Sequence, residues 1–381
     1  MRVFLVDDSP LALAVLKRML ATSPDIEIVG TARNGKEALA MFAAARPKVI
    51  CTDYQMPVMD GLELIQQVMA VYPRPILVIS SLVTPNDHQQ ALPLLAAGAV
   101  DVFPKPSASN DFDSTAKSLV RKIKMLAGVF VISRRAPEGK VAAPGETQPL
   151  TYRAAGPLLP PARAGLPLTA APPPAPVTPP VHVPSQVQPN FKKGVRIVAI
   201  GSSTGGPQVL QALLSKLPAD FPCPIVCVQH ISAGFLVGLV DWLHGQSRVR
   251  IKIAEPNEMA MPGTVYFPPE NTHLEVNSRG YFVLSNEPAV DGHKPSVTCT
   301  FQSVAKHYGS SALGILLTGM GSDGASGMQT LFQSGAMTIA QAESSCVVFG
   351  MPRQAIELGA AQYVLSTEEI SEALLRLAAT K

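Results

Sequence analysis

Apolar residues in the first 125 positions fall into short runs separated by stretches of helical spacing. RVFLV (2–6), IEIVG (26–30), KVICT (48–52), PILVIS (75–80) and VDVFP (100–104) are continuous enough to be strands buried on both faces. After the first of them Leu13, Leu16 and Leu20 recur at helical spacing, with Ser9 placed as an N-cap and Pro10 at the first helical position. Five such strand–helix units predict a parallel sheet with helices on both sides. The rhythm stops near 131 and resumes with VRIVAIG (195–201), PIVCVQH (224–230), ALGILLTG (312–319) and MTIAQ (337–341). Val209, Leu210, Leu213, Leu214 and Leu217 share one face of a helix that Pro207 opens. Between the second and third of these strands, TVYFPPENTHLEVNSRGYFVLS reads as antiparallel, with Gly and Asn turns. The pattern predicts two α/β domains: a (βα)5 unit over 1–128, and a doubly wound, mostly parallel sheet with a β-hairpin insertion over 193–381.

The interval 129–192 is different in kind. Fifteen of the 36 prolines lie between 131 and 192, in sequences such as TAAPPPAPVTPP. Proline has no amide donor and a fixed φ, so an extended, solvated tether is expected there. The 47% hydrophobic content supports two packed cores. A net charge of +3 over 381 residues gives no footing for nucleic-acid binding. The five cysteines are scattered, and Cys223 and Cys227 lack a second pair at zinc spacing; Cys51 and Cys227 fall in strand runs and read as packing. Two aspartates interrupt the opening apolar run, so no secretory signal is expected, and no stretch is long enough to insert in a bilayer. The expected compartment is the cytoplasm.

In open parallel sheets, chemistry gathers beyond the carboxyl ends of the strands. In the first domain that rule brings together Asp7 and Asp8, Asp53, Ser80 and Lys105. Three converging carboxylates call for a hard cation, and Mg²⁺ suits oxygen ligands. Each aspartate alone could be a helix cap; all at matching strand ends form a site. VDDSP, TDYQMPVMDG, Ser80 and Lys105-Pro106 resemble a response-regulator receiver, a flavodoxin-like fold. The resemblance implies that Asp53 accepts a phosphoryl group, with Mg²⁺ held by Asp8, Asp53 and the backbone carbonyl of Gln55. Ser80 and Lys105 would contact the phosphoryl oxygens. Val102, with Phe103 beside it, stands where many receivers carry an aromatic switch residue.

In the second domain the strand 195–201 runs into Gly201-Ser202-Ser203-Thr204-Gly205-Gly206-Pro207. A dinucleotide fingerprint would need glycine at position 203, and a P-loop would need a lysine. G-x-S-x-G from strand to helix fits a nucleophile elbow with Ser203 at its apex. His230 and Asp323 also follow core strands, so the three can converge as nucleophile, base and orienting carboxylate. The order Ser…His…Asp differs from that of α/β-hydrolases. GSSTGGP, QHISAGF, TGMGSDGASGM and AQAESSCVVFGMP resemble the catalytic domain of the chemotaxis protein-glutamate methylesterases, whose receiver-then-esterase layout is also matched.

That resemblance implies hydrolysis of glutamate γ-methyl esters on the cytoplasmic domains of chemoreceptors, releasing methanol, and deamidation of receptor glutamines. It implies a chemotaxis histidine kinase as phosphodonor and no cofactor in the catalytic domain. Backbone groups of Thr204, His230 and Met320 are the oxyanion candidates. His293, in DGHKPSV, is a candidate substrate contact or a solvated loop residue; Thr298 stands where the family often has an acidic residue, and Glu343 has no assigned role. The unphosphorylated receiver would lie across the catalytic crevice. A tether of about sixty residues, longer than expected for the family, would loosen that repression. A DNA-binding response regulator and a Rossmann enzyme are the rival readings; the first lacks a basic helix-turn-helix and the second its glycine pattern.

Overall fold

Ser9 caps the first helix as its position predicts: its Oγ accepts from the Ala12 N–H at 3.3 Å, and Pro10 fills the first turn. Leu13, Leu16 and Leu20 are all buried against the sheet. The computed structural model describes residues 1–80, 88–106, 111–129, 189, 191 and 194–379, the side chains of 88–92 excepted. The expected tether, 129–192, lies almost wholly outside the described residues.

The first domain contains β1 (Arg2–Val6), α1 (Pro10–Leu20), β2 (Glu27–Ala32), α2 (Gly35–Ala45), β3 (Val49–Thr52), α3 (Gly61–Val71), β4 (Ile76–Ser80), α4 (His88–Ala97), β5 (Asp101–Pro104) and α5 (Phe112–Leu126). Its five strands are parallel in the order β2-β1-β3-β4-β5. The order reverses at β1, so the crevice between the ends of β1 and β3 is where a ligand site is expected.

The second domain opens with β6 (Ile197–Ser202), α6 (Gly206–Leu214), β7 (Ile225–Gln229), α7 (Leu236–Gly245), β8 (Arg250–Ile253) and β9 (Thr264–Phe267). It continues with β10 (His273–Val276), β11 (Phe282–Ser285), α8 (Val297–Tyr308), β12 (Ala312–Leu316), α9 (Ala325–Gln333), β13 (Met337–Gln341), α10 (Met351–Glu357), β14 (Tyr363–Leu365) and α11 (Thr367–Ala379). Seven strands run parallel in the order β14-β13-β12-β6-β7-β9-β8. Here the reversal falls at β6, flanked by β7 and β12. Val209, Leu210, Leu213, Leu214 and Leu217 are buried along α6 as predicted. Each contributes roughly 2 kcal/mol of transfer free energy.

One strand corrects the antiparallel expectation. TVYF, β9, pairs in parallel with β7 and β8, and only β10–β11 form the antiparallel hairpin. All four β9 residues are buried, as a strand inside a parallel sheet requires; the polar–apolar alternation of a half-exposed hairpin begins only at β10. Burial also pushes the Cys51 and Cys223 thiols up to about 12, consistent with packing and not reactivity.

Candidate functional site

Ser203 follows β6 directly. Gly205 adopts φ 77°, and a Cβ there would sit 2.4 Å from the Val347 side chain, so only glycine turns the chain this sharply into α6. The backbone of Ser203 is held on both sides. Its N–H donates to Thr318 O at 3.0 Å, and its carbonyl accepts from Gly206 N–H and from Gln229 Nε2, each at 2.8 Å. Gln229, buried at the end of β7, also accepts from Ser202 Oγ at 2.7 Å and donates to His230 O at 2.7 Å. A single amide thus locks the serine turn to the histidine turn. Sequence reasoning passed over it; the Gln-His pair at a strand end was the available signal.

His230 lies one residue beyond β7, and its Nε2 is 2.9 Å from Asp323 Oδ2. That is a close polar contact and not an aligned hydrogen bond, since neither ring nitrogen completes one with a described residue. Asp323 is 1% exposed and well supplied with donors. Oδ1 accepts from Ser296 Oγ at 2.8 Å and Thr298 N–H at 3.0 Å, and Oδ2 accepts from Val297 N–H at 2.8 Å. These come from the N-terminus of α8, where free N–H groups and the helix dipole favour a carboxylate. Burial alone would raise its pKa; His230 and these donors outweigh burial and hold it well below the usual carboxylate range. An ionised Asp323 keeps the ring proton on Nε2 and leaves the Nδ1 lone pair to accept a proton.

Thr298 has a structural use for its hydroxyl, accepting from Gly324 N–H at 2.8 Å beside Asp323. Behind Ser296, buried His273 of β10 accepts the Ser296 N–H on Nδ1 at 3.1 Å, and its Nε2 faces Pro288 O at 3.1 Å. The hairpin insertion therefore braces the carboxylate. His293 is not a solvated loop residue: its ring stacks on His230, centroids 4.1 Å apart and planes 3° from parallel. Glu343 is exposed in a short 3-10 turn and does not line the cleft.

The oxyanion candidates separate. The His230 backbone N–H is already donated to Ser202 O at 2.9 Å, so it is corrected out of the set. The Thr204 and Met320 N–H groups make no hydrogen bond to a described residue. Both residues line the cleft that holds Ser203 and His230, about 230 Å³ in volume. Gly319, just before Met320, permits this approach: a Cβ there would lie 2.8 Å from Ser203 Cβ and 2.2 Å from Met351 Sδ.

In the receiver crevice, Lys105 Nζ lies 2.6 Å from Asp53 Oδ2 and 2.9 Å from Asp7 Oδ2. Burial opposes the Lys105 charge, but hydrogen bonds and charge from Asp53 and Asp7 outweigh it and raise its pKa. Burial raises that of Asp53, against the pull of Lys105. Carboxylate oxygens of Asp7, Asp8 and Asp53 come within 4.8 Å of one another. Asp8 also borders an open hollow with Gln55 and Asp60. An all-oxygen set with one exposed, uncompensated carboxylate fits Mg²⁺. Ser80 is buried beside it, its carbonyl accepting from Lys105 N–H at 2.8 Å. Val102 is buried, and its small side chain lines a recess with Ser203 and His230.

The receiver faces the catalytic cleft through β5 and its neighbours. Thr204 Oγ1 donates to Asp101 Oδ2 at 3.1 Å, and Ser232 Oγ donates to Val102 O at 3.3 Å. Gln208 Nε2 donates to Ala99 O at 2.7 Å and Leu95 O at 3.2 Å. Asp101, Arg121 and Lys122 form the wall of the cleft opposite His230 and Met320. Asp101 was not singled out from sequence, because nothing local marks a residue whose partner is a hundred positions away.

Comparison with known proteins agrees with this division. Residues 3–117 match the response regulator receiver domain model, and residues 198–374 match that of the CheB methylesterase. A protein-glutamate methylesterase/protein-glutamine glutaminase from Syntrophus aciditrophicus is 36% identical over 99% of this chain and 98% of its own length. One from Hahella chejuensis is 38% identical over 99% and 98%. The Thermotoga maritima CheB methylesterase catalytic domain shares 39% identity over 49% of this chain and all of its own, with a TM-score of 0.47. Because the full-chain alignments span nearly all of both sequences, those relatives are of similar overall length, and a long tether does not set this chain apart from them.

Proposed function

The chain belongs to the protein-glutamate methylesterase/protein-glutamine glutaminase family, and on that footing we propose that it hydrolyses glutamate γ-methyl esters on chemoreceptors through Ser203, His230 and Asp323. The observation that carries this is the buried Asp323, held ionised by three donors behind His230 in the cleft that also contains Ser203.

His230 Nδ1 takes the Ser203 proton as Oγ attacks the ester carbonyl carbon. The resulting oxyanion accepts from the Thr204 and Met320 N–H groups. Imidazolium then returns the proton to the departing methoxide, releasing methanol and leaving an acyl-serine. Water, deprotonated by the same imidazole, releases the glutamate carboxylate. A glutamine side chain would follow the same course with ammonia as leaving group. In the full-length protein, Ser203→Ala should abolish methanol release from methylated receptor; retained release would overturn the triad.

Control falls to the receiver. Asp8, Asp53 and the Gln55 carbonyl would hold Mg²⁺, which offsets the charge of an incoming phosphoryl group. Asp53 takes that group from a histidine kinase, and Ser80 and Lys105 contact its oxygens. Lys105 must then leave Asp53 for a phosphoryl oxygen. It lies just beyond the same strand, β5, that carries Asp101 and Val102, the residues hydrogen-bonded to Thr204 and Ser232. With valine at the usual aromatic position, the strand itself links the two sites. Phosphorylation thus favours release of the catalytic cleft. A long tether sets a modest effective concentration, so the repressed state depends on these few contacts. No described helix is long and apolar enough to cross a membrane. The proposed site of action is the cytoplasm, where receptor helices and kinase are both accessible.

A further inference from the structure

His230 lacks the restraints that usually fix a catalytic imidazole. Nδ1 is buried without a hydrogen bond to any described residue, and the Asp323 contact, though only 2.9 Å, is not in line with a ring N–H. Rotation about the bond to the ring is therefore not set by hydrogen bonding in the resting state. A broad surface against the ring is the face of His293, 4.1 Å away and within 3° of parallel. Its loop is built to hold that face in place. Val290 and His293 exchange both backbone hydrogen bonds, at 3.1 and 2.9 Å, across a turn in which Asp291 and Gly292 take φ of 51° and 78°.

We propose that His293 is a positioning residue for His230: its ring fixes the plane of the catalytic imidazole and supports the imidazolium that forms when the Ser203 proton arrives. The proposal rests on the triad reading given above. A ring turning out of plane would drive its edge into His293, so the stack holds the imidazole in the plane that keeps Nε2 beside Asp323. An imidazolium against a neutral aromatic face is attracted to it; against a second imidazolium it would be repelled. His293 is kept neutral by its surroundings: burial, then the neighbouring His230, depress its pKa. The other charged groups acting on it are Asp323, Arg121 of α5 and Asp291 of its own turn, while Glu270 and Lys294 border the pocket on its far side.

The test uses the full-length protein with two readouts, methanol release from methylated receptor and the rate at which a fluorophosphonate probe labels Ser203. The probe reports His230-assisted nucleophilicity without requiring the receptor. His293→Ala should lower kcat and the labelling rate together, each about tenfold, with KM within about twofold, the scale expected for losing one aromatic contact to a charged ring. His293→Phe, which keeps the stacking face and cannot titrate, should recover both to within about threefold of wild type. In ¹⁵N-labelled protein, relaxation of the His230 ring nitrogens should report one rigid ring orientation in wild type and in His293→Phe, and added ring motion in His293→Ala. A raised KM with unchanged labelling would make His293 a substrate contact and overturn the proposal. So would His293→Phe falling as far as His293→Ala, which would assign the effect to a ring nitrogen. If wild type were labelled at Ser203 but released no methanol, the ester substrate would be in error, and the labelling rates would still decide the role of His293.

Discussion

The crevice at the end of β1 and β3 gathers Asp7, Asp8 and Asp53 around Lys105, whereas the crevice at the end of β6, β7 and β12 sets a single buried carboxylate of its own domain, Asp323, behind a histidine. Both occupy the point where strand order reverses in a parallel sheet. Their treatment of charge is opposite. Asp323 meets a hydroxyl, two backbone N–H groups and an imidazole, and is stabilised as an anion despite burial. Asp53 is pushed the other way, with burial and Asp7 outweighing Lys105, and Asp8 is left exposed. The second site surrounds its buried carboxylate with donors from the fold itself. The first, on the proposal that it takes Mg²⁺, draws part of its countercharge from outside. The two differ in whether the protein itself offsets the buried charge.

That contrast can be broken at several points. Asp323→Asn should cost most, about 10⁴-fold in kcat with Ser203 intact, because the amide no longer selects the reactive tautomer. Chelating divalent cations, or Asp53→Asn, should remove all stimulation by a small phosphodonor yet leave basal methanol release within about twofold, if Mg²⁺ serves only the first crevice. Loss of basal release on chelation would erase the distinction. Ser296→Ala removes one of the three donors to Asp323 and should lower kcat by about tenfold, the scale of a charge-assisted hydrogen bond. Asp101→Ala should raise unphosphorylated activity about threefold by deleting the contact to Thr204, without altering the phosphorylated rate. Acidification offers a further comparison. Asp323, with its depressed pKa, contributes stability that is present above its ordinary 3.8 and is lost only well below it. In the metal-free protein burial raises Asp53 above that ordinary value, so NMR titration of the two carboxyls should show Asp53 taking up its proton before Asp323 as pH falls.

Much of this was legible along the chain. Strand runs at 3–6, 49–51 and 197–200 are apolar without interruption because both sheet faces are covered, and residues just beyond them emerge at one rim. Asp53, Ser203 and His230 could be named for that reason. Gln229, Ser296 and Thr318 could not, because their roles are hydrogen bonds to groups tens of residues or more distant, and polar residues at the ends of strands and helices are common. TVYF was assigned the wrong pairing because a short β-branched and aromatic run fits a buried parallel strand and a hairpin arm equally well until neighbours are known. The His230 N–H illustrates the same limit: it lies where an oxyanion donor could lie, and only strand register reveals that Ser202 O has taken it.

The sequence by itself determined two parallel-sheet domains, the strand ends on which polar residues collect, and the residue types that led to proposing a cation site at one rim and a serine nucleophile at the other. These follow from local periodicity and from side-chain chemistry, neither of which needs long-range contacts. Only the tertiary structure decided which carboxylate is ringed by donors and which stays exposed, that His293 lies flat against His230, and that Asp101 reaches Thr204 from another domain. Each is a matter of distance between segments far apart in the chain, and electrostatic and stacking interactions are set by that distance.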